Sequence, residues 1–389
     1  MPLLFFPRQG RALSRTALGP VAPASRIVEV DMVRGFALFG VLLVNMYGFG
    51  ADSTAWIASL DRLAFAITRV FFESKSWTLF SILFGFGFAL QLQGATARGT
   101  SILPSYLRRL AVLFAIGAAH ALFFDGDILM LYAELGLVLL VVRSFPTRLF
   151  LLLAVGLMLV FPLLRLARAT DKPDWDDEVL TVSEAQSRLD YRHLTHFYAT
   201  ESLADVAADN AREIPAHPLA DIDTPESGLT VLAMFILGYS IGRSGVLRDI
   251  PGHTATIARV RNCGLGFGLA AMAAERILAA ASGYSIIGAQ RAGPGVQLAG
   301  DLLFTFGCTA LAFGYAATLI FAFQTPRGRN VLMPLAGVGR LALTVYLTQT
   351  LTFTTLFYGY GFGMAYRLGP VAVTILAVVI FAVQIVACQ

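Results

Sequence analysis

Apolar residues run through this chain in long, nearly unbroken blocks, not in the alternating or i, i+3, i+4 patterns of half-buried elements. The blocks cover 34–50, 76–93, 109–124, 127–142, 148–165, 228–242, 262–282, 298–323, 338–358 and 370–388. Each approaches or exceeds the length an α-helix needs to cross hydrocarbon, roughly 20 residues. The pattern predicts an all-α, polytopic integral membrane bundle of about 10 transmembrane helices. Residues 63–73 carry charges every few positions and predict an amphipathic helix leading into the second span. One polar stretch interrupts the series, at 166–227. It opens on an acidic loop (TDKPDWDDE), continues into a helical pattern around Ser183–Glu213 and returns through a Pro-rich segment. The organisation expected is therefore a mobile basic tail (1–25), a first bundle of five spans (26–165), a small helical extracytoplasmic insertion (166–227) and a second bundle of five spans (228–389).

Composition sharpens this picture by exclusion. Of 389 residues 57% are hydrophobic and only 14% charged, against about 25% charged in a typical soluble domain. A soluble enzyme, a nucleic-acid binder and a disordered regulator are all disfavoured, and the lipid bilayer is the first partner expected. Where the charges fall sets an expected orientation, because cytoplasmic loops concentrate Lys and Arg. With the N-terminus inside, the predicted cytoplasmic segments hold seventeen of the 29 Lys and Arg residues, whereas 166–227 carries fourteen acids. This predicts a multi-pass protein of the cell inner (plasma) membrane with a cytoplasmic N-terminus. The small residues Ala22-Pro23-Ala24 precede the first apolar run, whereas a signal-peptide cleavage site follows it, so 34–50 is read as a retained helix. Cys263, Cys308 and Cys388 all fall in apolar stretches, which predicts neither a disulfide framework nor a metal cluster.

Four stretches together resemble the YeiB-like family of bacterial membrane proteins, whose C-terminal half is a domain of unknown function. They are Arg26-Ile27 with Asp31-Met32-Val33-Arg34-Gly35-Phe36-Ala37-Leu38 and Val44-Asn45; Trp77-Thr78-Leu79-Phe80-Ser81-Ile82-Leu83-Phe84-Gly85-Phe86-Gly87-Phe88-Ala89; Arg108-Arg109 with His120-Ala121-Leu122 and Gly126-Asp127-Ile128-Leu129; and Leu237-Gly238 with Gly242-Arg243-Ser244-Gly245, paired with Gly339-Arg340-Leu341-Ala342-Leu343-Thr344 and Tyr346-Leu347. The first also resembles the opening of the transmembrane N-acetyltransferases that acetylate heparan glucosamine. That resemblance implies acyl transfer across a membrane, from cytoplasmic acyl-CoA to an acceptor on the other side.

The polar residues inside these blocks are the candidates for chemistry, because they are costly in hydrocarbon. His120 and Asp127, with Asp125 beside them, fall at the far end of the third span; a carboxylate that fixes an imidazole tautomer makes a general base. The structural alternative is that the aspartates cap the fourth span. Asn45 lies eleven positions after Arg34, about 16 Å along the first helix, where its amide would polarise a thioester carbonyl or simply bond a neighbouring helix. Arg34, Arg109 and Arg340 are candidates to hold the phosphates of a CoA-like donor, although the orientation bias alone also places arginines there, and Asp31 with Arg34 also fits an i, i+3 pair.

Glu134 lies deeper in the fourth span and is assigned to a substrate cavity, or to pairing with Arg276; Glu275 and Arg276, as sequence neighbours, are each expected to need a separate partner. Thr344 and Thr348, with Thr352 and Thr355, share one face of the ninth span, expected to look into a polar cavity. Asp190, His193 and His196 recur at i, i+3, i+6 without a further ligand, so no metal site is assigned. The function expected is a membrane acyltransferase using acyl-CoA as co-substrate, with no tightly bound cofactor, a hydroxyl or amine acceptor that is extracytoplasmic or lipid-linked, no nucleic acid and a possible homo-oligomeric state. The alternative is a secondary transporter or exporter with two inverted halves.

Overall fold

The computed structural model describes residues 26–50, 59–124, 126–171, 196–214, 228–284, 292–365 and 367–389. The described residues are all-helical, with no β-strand among them. In chain order the helices are α1 (Val28–Gly50), α2 (Ser59–Phe71), α3 (Lys75–Ala97), α4 (Leu103–Ala121), α5 (Leu129–Val142), α6 (Thr147–Asp171), α7 (Leu203–Glu213), α8 (Gly228–Ser244), α9 (Thr254–Ser282), α10 (Pro294–Phe323), α11 (Pro326–Arg340), α12 (Ala342–Phe357) and α13 (Pro370–Ala387).

Five helical stretches are long and apolar enough to cross a membrane: Ser59–Ala97, Thr147–Ala169, Pro251–Ser282, Pro294–Phe323 and Pro370–Ala387. Large apolar side chains such as Leu152, Ile277, Val383 and Val386 face outward on them, as lipid-facing positions do. Two more apolar helices, α5 and α8, are shorter. The expected single span over 338–358 is instead a broken pair, α11 and α12 meeting at an angle of 83°. Hydrophobicity continues through the joint at Leu341, so composition alone reads it as one rod. Residues 1–25 and 172–195, which hold the expected basic tail and the start of the insertion, lie outside the described residues.

Packing is set by glycines that let backbones touch, the usual device where lipid removes the hydrophobic drive between helices. A Cβ at Gly85 of α3 would overlap the Phe235 carbonyl of α8, and one at Gly238 of α8 would overlap the Ile82 carbonyl of α3. Likewise Gly35 of α1 abuts the Leu335 carbonyl of α11, and Gly339 of α11 abuts the Asp31 carbonyl of α1. The four sequence stretches with family resemblance thus form, in three of their segments, two reciprocal helix contacts. At the far end of α1, the Tyr47 hydroxyl lies 2.7 Å from Thr374 Oγ1 of α13. α2 is tied in by Asp61, whose carboxylate accepts the Val371 N–H at 3.0 Å, while Leu60, Leu63, Ile67 and Phe71 point outward.

Replacing Gly238 by Val forces α3 and α8 apart. Overpacking of this kind costs about 1–3 kcal/mol, so Gly238→Val is expected to lower the thermal midpoint of the detergent-purified protein. Gly156→Val, at a position with open space around it, leaves the midpoint within error.

Candidate functional site

The last turn of α4 carries His120, and a short turn brings the chain back into α5. The turn is built on the His120 carbonyl, which accepts the Phe123 and Phe124 N–H groups at 3.0 and 3.1 Å. It delivers Asp127 to the mouth of α5. There one carboxylate oxygen, Oδ2, accepts the Met130 N–H at 3.0 Å and so caps the helix, while Oδ1 lies 2.7 Å from His120 Nδ1. The expected general-base pairing and the expected capping role are therefore not alternatives: one carboxylate does both. Gly117 makes this possible, since a Cβ there would press on the Met130 backbone and on the Asp127 carboxylate.

The dyad is shut away. His120 is 7% and Asp127 6% exposed. Tyr346 of α12 lies with its ring 5.1 Å from the imidazole and its hydroxyl facing Asp127 and the Ile128 backbone; the Phe124 ring stands edge-on at 5.7 Å. Asn210 of α7 donates to the Leu122 carbonyl at 3.2 Å, and Tyr198 stacks on Tyr358 at 4.8 Å, so residues 196–214 cover this end. An ionised carboxylate only accepts, so beside it a neutral imidazole carries its proton on Nδ1 and presents a lone pair on Nε2. Nε2 is buried and has no hydrogen-bond partner among the described residues. A basic nitrogen held in a fixed tautomer and left open is what proton abstraction requires.

The other expected site residues are placed as follows. Arg34 donates to Asp31 at 2.7 Å and to the Gly339 carbonyl at 3.3 Å. Arg109 is near enough to repel it electrostatically, and Arg340, next to Gly339, is exposed. The three arginines therefore gather at one end of the bundle, although Arg34 is already spoken for by Asp31. Asn45 is half-buried on α1, and no hydrogen bond joins it to the dyad among those described. Asp125 lies outside the described residues, as do Asp190 and His193; His196 is exposed. Glu134 is half-buried on α5, and its expected partner Arg276 is engaged by Glu275.

Two expectations are corrected. Glu275 and Arg276 do serve one another: the guanidinium grips the carboxylate at 2.6 and 3.0 Å, because two long side chains fold together even where their helix positions diverge. The threonine face does not turn into the protein. Thr344 and Thr348 are exposed, with Thr348 bonded to the Val345 carbonyl at 2.9 Å and Thr352 to the Thr348 carbonyl at 2.7 Å, satisfying their own helix. The inward polar residues of α12 are Gln349, Thr350 and Thr354. Of the three cysteines Cys308 is buried and Cys263 exposed.

Sequence reasoning passed over a second buried cluster. Asp301 of α10 is fully buried and meets Arg165 of α6 at 2.7 Å and the Tyr284 hydroxyl at 2.9 Å. Lys75, at the first position of α3, is 1% exposed and donates to the Arg69 carbonyl at 3.2 Å. For Asp301 the signal was available, as a single charge embedded in an apolar block; Lys75 stands in a polar stretch just ahead of one.

An open cleft of about 460 Å³ lies far along the chain from the dyad's helices, lined by Arg26, Glu29, Arg248, Pro251 and Gln324.

Comparison with known proteins places this geometry in context. A family model described as "Protein of unknown function (DUF418)" matches residues 241–389. The chain is 30% identical over 359 residues to the "Uncharacterized protein YeiB" of Escherichia coli K12, covering 87% of this chain and 85% of that one. It is 29% identical over 392 residues to the "Uncharacterized protein YxaH" of Bacillus subtilis, covering 95% and 91%. No solved structure matches.

Asp127→Asn keeps a good cap on α5, since Asn and Asp are nearly equivalent there, whereas Asp127→Ala removes it at a cost of about 1 kcal/mol. Thermal melts should accordingly separate the two, with Ala the less stable. Nitrogen-15 NMR of labelled histidine should show His120 protonated at Nδ1 in the wild type and lose that preference in both variants.

Proposed function

For a chain that belongs to the YeiB-like family of membrane proteins, we propose the activity of a membrane acyltransferase that takes its acyl group from acyl-CoA. The observation that carries this reading is the buried His120 imidazole, anchored through Nδ1 to Asp127 with Nε2 left open. In the proposed reaction Nε2 takes the proton of an acceptor hydroxyl or amine. The freed lone pair attacks the thioester carbonyl, and the departing CoA thiolate receives the proton from the imidazolium. Asp127 stabilises that imidazolium and holds the ring in register.

Donor placement follows from α4 itself. Arg109 and His120 are eleven residues apart on one helix, about 16 Å by helical rise, a distance that an extended pantetheine arm spans. The arginines gathered around Arg34, Arg109 and Arg340 hold the donor's phosphates at one end, and the dyad meets the acceptor at the other. With the positive-inside orientation, the arginine end is cytoplasmic and the acceptor is extracytoplasmic or lipid-linked, in a bacterial plasma membrane. Asn45, on the helix that carries Arg34, is assigned to the thioester carbonyl. Covered as it is by Phe124, Tyr346 and α7, the dyad admits an acceptor when α7 lifts from the α4–α5 turn.

Acyl-CoA is expected to raise the melting temperature of the purified protein, because a ligand that binds only the native state adds to apparent stability, about 2.7 kcal/mol at a hundredfold excess over Kd. His120→Ala should retain that shift while losing transfer of labelled acyl groups by 10²-fold or more, the usual worth of a general base, roughly 10²–10⁴. Absence of any shift across short- and long-chain acyl-CoAs, or full transfer by His120→Ala, would overturn the assignment.

A further inference from the structure

A polar seam runs down the buried face of α10. Gln297, Asp301, Thr305 and Thr309 follow one another at four-residue intervals, and all four are buried. That spacing puts successive side chains on one face, each leaning toward the start of the helix, so Thr305 inclines toward Asp301. Asp301 sits seven residues into α10, about 10 Å from its first turn. It shares no residue with the His120 dyad, and this inference stands apart from the acyl-transfer reading.

The two oxygens of Asp301 are not equivalent. Oδ1 takes both the Arg165 guanidinium and the Tyr284 hydroxyl. Among the described residues Oδ2 is buried with no partner, and so is the hydroxyl oxygen of Thr305 one turn on. The charged and titratable groups around them are Arg165 from α6, Tyr284 just after α9, and Glu275 from α9, whose charge reaches the Tyr284 hydroxyl and which is clasped by Arg276. On α10 itself Cys308 is buried. From α3, the Lys75 ammonium lies 5.7 Å above the ring of Phe304, three residues beyond Asp301.

Arg165 meets Asp301 and Arg276 clasps Glu275, yet Asp301 keeps one bare carboxylate oxygen in a place where an unmet polar group costs free energy. Two unpartnered oxygens are too few to replace the shell of a divalent metal cation, which takes six or more ligands. An anion is repelled by the carboxylate. A proton needs only one lone pair, and Oδ2 supplies it.

We propose that Asp301 is a proton-binding site, taking up a proton on Oδ2 from the aqueous phase at the end of the bundle where α10 begins. Uptake converts the carboxylate to a carboxylic acid and hydronium to water. It raises the charge of the cluster by one. Gln297 and Tyr284, toward the start of α10 and just after α9, lie on the side from which the proton arrives.

A hydrophobic carbodiimide tests this, because it modifies protonated carboxyl groups in apolar surroundings. The full chain, purified in lipid nanodiscs, is treated across a pH series, and the modified peptides are read by mass spectrometry. Modification at Asp301 is expected to rise steeply as the pH of the series is lowered, following a single titrating carboxyl. It disappears in Asp301→Asn. At a fixed pH it increases in Tyr284→Phe, which removes one hydrogen bond to the ionised form, and increases further in Arg165→Gln, which removes the neighbouring cation; Tyr284→Phe carries the comparison if Arg165→Gln does not fold. Recovery of an unmodified Asp301 peptide at every pH identifies a permanent ion pair and overturns the proposal. So does modification that is independent of pH, or that sodium ions suppress at constant pH.

Discussion

Hydrocarbon gives a polar group nothing to bond to, so a polar side chain carried into this bundle gains by finding a counterpart elsewhere on the chain. That constraint explains why single residues take on two tasks. Asp127 caps α5 and orients His120 with the two oxygens of one carboxylate. Arg34 satisfies Asp31 and the Gly339 carbonyl together. Asp61 belongs to α2 yet closes the start of α13. Among the described residues, Nε2 of His120 and Oδ2 of Asp301 are buried atoms that this pairing leaves open.

The helix contacts that hold these groups in place are made by absence of side chain. Gly35 against Leu335 and Gly339 against Asp31 bring α1 and α11 to backbone contact, and Gly85 and Gly238 do the same for α3 and α8. Van der Waals contact over such surfaces replaces the hydrophobic drive that a soluble protein would use. The arginines of the first and last motifs come together as a by-product: once Gly35 seats against α11, Arg34 has the Gly339 carbonyl in reach.

Much of this was legible in the chain. Apolar blocks mark where helices lie, since their length is dictated by membrane thickness, and the His120–Asp127 pairing could be read because only a short turn separates the two. What stayed hidden depends on relations between distant segments. The block 338–358 reads as one span because an elbow at Leu341 leaves no mark in hydrophobicity. The face of α12 that turns inward is set by where its neighbours stand. Spacing alone favoured the face of Thr344 and Thr348, whereas packing buries Gln349, Thr350 and Thr354. Asp301 was passed over inside an otherwise apolar run, although one carboxylate in such a run is itself a signal. The motif stretches were recognisable individually, but that they clasp each other is a property of the folded bundle.

The elbow also gives α11 and α12 different neighbours. One arm is seated on α1 through Gly35 and Gly339, beside the basic cluster. The other arm carries Tyr346, whose ring rests against the imidazole. A joint one residue long, at Leu341, therefore ties the seat of α11 on α1 to the placing of the tyrosine beside His120.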